Sequence, residues 1–246
     1  MLPGFPAPSN NPNAEYPRII DDGRVTFRVS APLAHKVQLL PLMSEPDNNG
    51  TNGLGKSPFD MTINTDGFWT VTTPPVEPGY YDYVFVIDDI WVNDSGSTNS
   101  FALDHDLNFI EVPARESMFY DLKNVPHGDV RQHWYFSDLT GKWRRAFVYT
   151  PAEYEANLSR HYPVLYLQHG GKQNESSWVT GGKANLILDN LIAAGAASPM
   201  LVIMDNGSTF LPGLKRLPDP PPAGNLFEKV IKLFLIRVDL IHLAKT

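Results

Sequence analysis

The pattern of apolar residues changes in kind near the middle of the chain. Between Arg24 and residue 112, short runs alternate apolar and polar residues, as strands with one buried face do. After residue 140 the apolar runs are continuous, and a helical segment separates two of them. The change predicts two domains, residues 1–115 and 116–246, with the stretch around Pro113 to Pro126 as the linker.

The first half predicts an antiparallel sandwich. Val25, Phe27 and Val29 alternate with polar residues, and the same signal returns at 37–40, 68–73 and 80–87. Asp66-Gly67 and Pro78-Gly79 supply turn residues between the runs. Short strands at this spacing predict a sandwich of about 100 residues of the immunoglobulin-like type.

The second half predicts a βαβ unit. Residues 144–149, 162–167 and 200–204 are apolar runs too continuous for a strand with one face in water. A helix is predicted from Lys183 to Ala194, with Gly195 ending it. One face of that helix carries Ala184, Ile187, Leu188, Leu191 and Ile192. This half is therefore predicted to be α/β, with a sheet covered on both faces.

Charge and composition exclude several functions. The net charge of −7 and the pI near 5.4 disfavour nucleic acid as a partner, because phosphate binding needs clustered Lys and Arg. The absence of cysteine excludes disulfides, thiolate metal sites and cysteine nucleophiles. No apolar run reaches the roughly 18 residues that cross a bilayer. The first residues lack the features of a signal peptide, so either the protein is cytoplasmic or a signal was removed.

Residues 20 to 207 resemble a known family. The segments that carry the likeness are HGDVRQHWYFSDLTGKWRRAFVYTPAEYEANLSRHYPVLYLQHGG, Trp178, GGKANLILDNLIAAG and PMLVIMDNG. They resemble the N-terminal part of the feruloyl and acetylxylan esterases of carbohydrate esterase family 1, close to the esterase D group. The preceding sandwich resembles the CBM48-type module of many such enzymes. The resemblance implies an α/β-hydrolase domain, extracellular location, and hydrolysis of feruloyl or acetyl esters of xylan without a cofactor.

The resemblance also implies a serine nucleophile in a G-x-S-x-G elbow, assisted by a histidine and an acidic residue. No serine of the sequence has glycines two residues away on both sides. In the family that serine follows the next helix and strand. We therefore expect a truncated α/β-hydrolase domain, with no catalytic residue assigned and no turnover by this chain.

One part of the esterase machinery is expected to be present. His169-Gly170-Gly171 follows the second apolar run, where such esterases place the loop whose backbone N–H groups bind the oxyanion. Gly170 and Gly171 are the predicted donors, and Gly171 is the stronger candidate. His169 and Trp178 are predicted to line the substrate pocket. Lys172 stands where the family commonly has a further glycine, which puts the geometry of the loop in question.

Asp205 and two other motifs are interpreted without a catalytic or ligand-binding role. Asp205 is expected to serve a turn or cap, because the acid of an α/β-hydrolase follows the serine. Residues 50–57 match the phosphate-loop pattern G-x-x-x-x-G-K-[ST], but the Pro- and Asn-rich flanks favour a surface loop. Residues 104–106 are too short a cluster to hold a metal.

The aromatic residues of the sandwich are expected to be packing residues, with a sugar-stacking platform as the alternative. They are Trp69, Tyr80, Tyr81, Tyr83 and Trp91.

The C-terminal segment departs from the family. Apolar residues surround nearly the whole circumference of the helix predicted over residues 231–243. Such a helix requires burial on all sides, so we expect an exposed apolar patch and self-association through it.

The prediction is a carboxylic-ester hydrolase lineage whose partner is feruloylated or acetylated xylan. The alternative is a non-catalytic carbohydrate-binding or interaction protein.

Overall fold

A computed structural model of the protein describes residues 3–42, 54, 58–114 and 118–208. Of these, all except Asp138–Thr140 belong to one unit defined by its internal contacts. Over these ranges the structure is mostly β-sheet with two short helices. Among the described residues, no helix has the length and apolarity needed to cross a membrane.

Eleven strands up to residue 112 form two antiparallel sheets. They are β1 (Phe5–Pro6), β2 (Arg18–Ile19), β3 (Val25–Ser30), β4 (Val37–Leu42), β5 (Phe59–Asp60), β6 (Thr62–Ile63), β7 (Phe68–Thr72), β8 (Gly79–Ile87), β9 (Ile90–Val92), β10 (Asn99–Ala102) and β11 (His105–Val112). The first sheet has the order β1-β2-β3-β7-β6 and the second β10-β11-β8-β4-β5, with β9 paired to β8.

The two sheets pack face to face through the alternating residues that the sequence indicated. Val25 and Phe27 of β3 are buried in one cluster with Leu39 of β4. The rings of Phe27 and Tyr83 meet edge to face, with centroids 4.9 Å apart. The alternation therefore marked the buried face correctly.

The aromatic residues of this region divide between core and surface. Trp69 and Tyr83 are buried, which confirms the packing interpretation for them. Trp91 is exposed on β9. Tyr80 stacks on Phe109, with ring centroids 4.5 Å apart.

A third sheet follows the linker. Its strands are β12 (Asp129–Ser137), β13 (Lys142–Thr150), β14 (Val164–Tyr166) and β15 (Leu201–Asp205), in the order β12-β13-β15-β14. Strands β14 and β15 are parallel, and helices α1 (Ser177–Thr180) and α2 (Ala184–Ala193) lie between them in the chain. The predicted βαβ unit is confirmed, as is the end of α2, where Gly195 adopts φ 68°.

The expectation that each strand of this sheet is buried on both faces is wrong for β14. Val164, Leu165 and Tyr166 are 43%, 42% and 60% exposed, whereas the centre of β15 is buried. Strand β14 is the edge of the described sheet, and β15 is its only neighbour there. The prediction failed because a continuous apolar run shows that a strand can be buried on both faces, but does not show which neighbouring elements cover it.

Two polar residues of α2 hold the linker. Asp189 is 3% exposed, and it accepts hydrogen bonds from the Tyr149 hydroxyl at 2.7 Å and the Gly128 N–H at 2.9 Å. The side chain of the next residue, Asn190, donates to the carbonyl oxygens of Phe119 and Asp121 at 2.8 and 2.9 Å. The linker is therefore fixed to α2 by hydrogen bonds rather than by apolar packing alone.

His127 adds a pH-dependent contact to this attachment. Its Nδ1 lies 2.9 Å from Asp189 Oδ2, and its Nε2 lies 2.9 Å from the Lys123 carbonyl oxygen. Both neighbours accept hydrogen bonds, so only the doubly protonated ring satisfies both. The hydrogen bond to Asp189, and then that to Lys123, raise the pKa of His127.

We therefore expect this contribution to stability to be complete below the ordinary histidine pKa of about 6.5 and lost as pH rises through the raised pKa of the folded protein. The measurement is the thermal midpoint as a function of pH for the parent chain and for His127→Gln. The midpoint difference should shrink towards alkaline pH. A difference that is constant with pH would show that the charged ring contributes nothing.

Candidate active-site edge

The loop after β14 lies at the carboxyl end of the two parallel strands. The Leu167 N–H donates to the Ile203 carbonyl oxygen at 2.9 Å, which extends the pairing of β14 with β15 by one residue. His169, Gly170 and Gly171 follow directly. Ligands of open α/β sheets bind beyond the carboxyl ends of their strands, so the loop occupies the edge where a site is expected.

The ring of His169 joins this loop to the turn after β15. Its Nδ1 lies 2.7 Å from the Gly170 carbonyl oxygen, and the Gly207 N–H donates to its Nε2 at 3.0 Å. These partners select the neutral tautomer that carries its proton on Nδ1. Both ring nitrogens are thus engaged by backbone groups, and the predicted role of His169 in the substrate pocket stays a prediction.

The two candidate oxyanion donors differ in their surroundings. The Gly170 N–H donates to Gln173 Oε1 at 2.9 Å, so this donor already has a partner. At Gly171 a Cβ would meet no atom within 4 Å, which shows open space beside that backbone. The predicted order of the two donors, with Gly171 the stronger, stays a prediction.

Lys172 adopts the backbone conformation that glycine would supply. Its φ is 59°, in the left-handed region that glycine enters without steric cost. The Lys172 carbonyl oxygen accepts the Asp104 N–H at 3.1 Å, so the strained residue is attached to the turn between β10 and β11.

Trp178 lies on α1 and contacts the start of the same loop. Its indole N–H donates to the Gln168 carbonyl oxygen at 2.8 Å, while the side chain keeps a partly exposed face. A Cβ at Gly182 would lie 2.6 Å from Trp178 Cε3, so the ring packs closely on that glycine. The indole is therefore fixed in orientation, and the predicted role of Trp178 in the substrate pocket stays a prediction.

Glu175 is a positioning residue that the sequence did not reveal. It is 3% exposed, its Oε1 accepts from Arg145 Nε, and its Oε2 accepts from Asn206 Nδ2 at 2.7 Å. It therefore connects β13, the loop after β14 and the turn after β15. A single glutamate in a polar loop gives no periodic signal, and its two partners are 30 and 31 residues away.

The Asp205 side chain contacts the two neighbouring strands β12 and β13 rather than capping a turn. Its Oδ2 accepts from the Tyr135 hydroxyl at 2.9 Å and lies 3.4 Å from Arg144 Nη2. Burial, and then the Asp205 carboxylate, raise the pKa of Tyr135. Arg144 also donates to the Asn206 carbonyl oxygen. Asp205 therefore connects the end of β15 to β12 and β13, and Arg144 connects the turn after β15 to β13.

Several expectations concern other parts of the chain. Within the described ranges, no group of three His, Cys, Asp or Glu side chains is arranged to hold a metal ion. The phosphate-loop pattern at 50–57 lies almost wholly outside the described residues, as does the apolar segment 231–243. The self-association expected from that segment consequently has no structural support.

No protein family model matches the chain. The chain is similar to part of a longer enzyme. That relative, the endo-1,4-beta-xylanase/feruloyl esterase of Xylanibacter ruminicola, is 40% identical over 209 residues. The match covers 83% of this chain but 27% of the relative.

Solved structures show the same fold. The enterochelin esterase of Shigella flexneri matches with a TM-score of 0.54 at 14% identity, over 78% of this chain and 55% of that one. A CE1 ferulic acid esterase from Anaeromyces mucronatus is 26% identical over 51% of this chain and 45% of its own. Its TM-score of 0.41 is too low to define a shared fold.

Proposed function

We propose that this chain supplies the oxyanion-loop part of an ester hydrolase acting on feruloyl or acetyl esters of xylan. The observation that carries the proposal is the 40% identity over 209 residues to the xylanase/feruloyl esterase, which supports a carboxylic-ester hydrolase lineage. The location of Gly170 and Gly171 beyond the carboxyl end of β14 supports the same role. Gly171 is the proposed principal donor, and Trp178 with His169 flanks the proposed acyl pocket.

The proposed division of the chain is an immunoglobulin-like, CBM48-type module over 1–115 and an α/β-hydrolase part over 116–246. The face-to-face sheets β1–β11 support the first assignment. The order β12-β13-β15-β14, with α1 and α2 between the parallel strands, supports the second. In this division the linker held by Asp189 and Asn190 begins the hydrolase part.

The 246 residues are expected to be inactive alone, because the sequence contains no G-x-S-x-G elbow. The test is incubation with chromogenic acetyl and feruloyl esters and, separately, with a serine-reactive fluorescent phosphonate. We expect neither turnover nor labelling. Turnover that the phosphonate abolishes would contradict this and reveal a nucleophilic serine outside the elbow pattern.

A chimera tests the ester hydrolase role itself. In it, the aligned residues of this chain replace their counterparts in the Xylanibacter ruminicola protein, which keeps the rest of its own sequence. We expect hydrolysis of feruloyl or acetyl esters, because this chain then contributes only the parts proposed above. The unmodified relative is the control. A folded chimera that hydrolyses neither ester, together with retention of the 246-residue chain itself on insoluble xylan, would favour the alternative, a non-catalytic carbohydrate-binding protein.

A further inference from the structure

A two-residue turn in the first half of the chain contacts the loop after β14. Strands β10 and β11 pair up to Ala102 and His105, so Leu103 and Asp104 form the turn between them. Their φ angles are 54° and 63°, both in the left-handed region. Two-residue hairpin turns with positive φ at both positions match the twist of the strands that they join. We call Leu103 and Asp104 the support turn.

The support turn is anchored in the second sheet. The Leu103 side chain packs against a buried cluster of Val84, Ala102 and Leu107. Strand β10 pairs with β11 directly from the turn, and β11 pairs in turn with β8. A tight turn whose apolar side chain is packed has little freedom to move relative to its sheet. The backbone N–H of Asp104 therefore has a defined position.

Residues 170–173 form a second turn, which contains the two candidate oxyanion donors. The Gln173 N–H donates to the Gly170 carbonyl oxygen at 3.3 Å, and Gln173 Oε1 accepts the Gly170 N–H at 2.9 Å. Lys172 is the third of the four residues, with φ 59°. Turns with positive φ at this position normally have glycine or asparagine there, because a Cβ is sterically disfavoured. The lysine therefore raises the free energy of this turn relative to other shapes of the loop.

The two turns are joined at the strained residue. The Asp104 N–H donates to the Lys172 carbonyl oxygen at 3.1 Å, and a conformation of Lys172 that moved this oxygen would lose the bond. Two further contacts join the same hairpin to α1 and to the residue before α2: the Ser177 hydroxyl donates to the Phe101 carbonyl oxygen at 3.2 Å, and Lys183 Nζ pairs with the Glu111 carboxylate. The hairpin therefore holds both the turn at 170–173 and the segment that follows it.

We propose that the support turn is a positioning element for ester hydrolysis, in which the Asp104 N–H holds Lys172 in the left-handed conformation that shapes the turn at 170–173. Asp104 acts through the loop and does not contact the substrate. This role rests on the proposed function, because the shape of the loop matters for turnover only where the loop binds the oxyanion. The first half of the chain thereby takes part in the reaction, independently of any carbohydrate that it binds.

The first experiment measures backbone hydrogen exchange in the full 246-residue chain, by mass spectrometry of the peptide that contains residues 168–174. Insertion of two glycines between Leu103 and Asp104 still permits a hairpin, because four-residue connections are common, but it moves the Asp104 N–H away from Lys172. The N–H groups of the peptide should then exchange about tenfold faster, the factor by which an uncompensated left-handed residue disfavours its conformation.

The matched control is the same insertion in a neighbouring turn of the same sheet. Asp88 and Asp89, between β8 and β9, also form a two-residue turn with positive φ, at 45° and 68°. The Asp88 side chain accepts the N–H groups of His35 and Lys36. Insertion of two glycines between Asp88 and Asp89 should leave the exchange of residues 168–174 within about twofold of the parent chain.

The second experiment measures kcat and KM of the active chimera with and without the insertion in the support turn, both with Lys172 and with Lys172→Gly. With lysine, the insertion should lower kcat about tenfold and change KM less than about twofold, because the support acts on the proposed donor and not on ground-state binding. With glycine, which adopts positive φ without steric cost, the loss should shrink to about twofold or less. A general loss of stability would instead lower kcat by the same factor in both backgrounds.

Unchanged exchange in the folded insertion variant, or equal losses of kcat in the two backgrounds, would overturn the proposal. If the insertion prevents folding, Leu103→Gly keeps the positive φ and removes the packing anchor, and exchange should rise about threefold. No rise in that variant would likewise overturn the proposal. Faster exchange with an inactive chimera would reject the proposed function but confirm that the support turn holds the loop. An active chimera that is insensitive to the insertion would reject the support turn alone.

Discussion

Replacing Gly171 with proline in the active chimera is expected to lower kcat about 100- to 1,000-fold, the usual effect of removing one oxyanion donor. Proline deletes the backbone N–H that is proposed to face the developing negative charge. Gly171 does not have a positive φ, so the left-handed conformation that proline cannot adopt is not required there. The measurement is steady-state hydrolysis of a feruloyl ester, with kcat and KM determined separately.

Gly171→Ala is the matched control, because alanine keeps the N–H and its Cβ would meet no atom within 4 Å. Its kcat should stay within about threefold of the parent chimera. Both variants should also unfold at the parent temperature. Equal activity of the proline and alanine variants would exclude the Gly171 N–H as an oxyanion donor.

Replacing Asp189 with alanine is expected to lower the free energy of unfolding of the 246-residue chain by about 2–5 kcal/mol, because two hydrogen-bond donors lose their acceptor at a cost of roughly 1–3 kcal/mol each. The substitution leaves the Tyr149 hydroxyl and the Gly128 N–H without their acceptor, and it removes the partner of His127. The measurement is reversible urea unfolding followed by tryptophan fluorescence, with the slope compared between variants.

Asp129→Ala tests whether this effect belongs to the buried position. Asp129 begins β12 two residues after His127, but its side chain is 67% exposed. Its removal should change the free energy of unfolding by less than about 0.5 kcal/mol. Similar losses from the two substitutions would mean that the network around Asp189 contributes little beyond general surface charge.

The sequence predicted those parts of the fold that depend on local periodicity. Alternation at Val25 and Phe27 marked a strand with one buried face, and the structure buries both side chains. The helical spacing after Lys183 located α2, and Gly195 ended it in the left-handed conformation. These features are local because one or two turns of backbone determine them.

The contacts that join distant segments were not predictable in the same way. Asp189 lies next to Leu188 on α2, and nothing in the sequence identified Tyr149 or Gly128 as its partners. Glu175 likewise gave no pattern. For β14, the apolar run predicted burial, but exposure depends on which neighbours lie beside and above the strand.

At the candidate site, the sequence located the loop but not its internal hydrogen bonds. His169-Gly170-Gly171 was expected at a strand end, and it follows β14 as expected. The pairing of Gly170 with Gln173, and of His169 with Gly207, depends on loop conformation and on a turn 38 residues away.

In the proposed oxyanion loop, the Gln173 side chain competes with any ligand for the Gly170 N–H. Its Oε1 occupies the Gly170 N–H at 2.9 Å, so any anion that takes this donor must first displace an amide oxygen. The net gain is the difference between the two hydrogen bonds, and it is largest for a full negative charge, which bonds more strongly than a neutral carbonyl. If the loop binds an oxyanion as proposed, this exchange would favour a tetrahedral anion over the uncharged ester from which it forms.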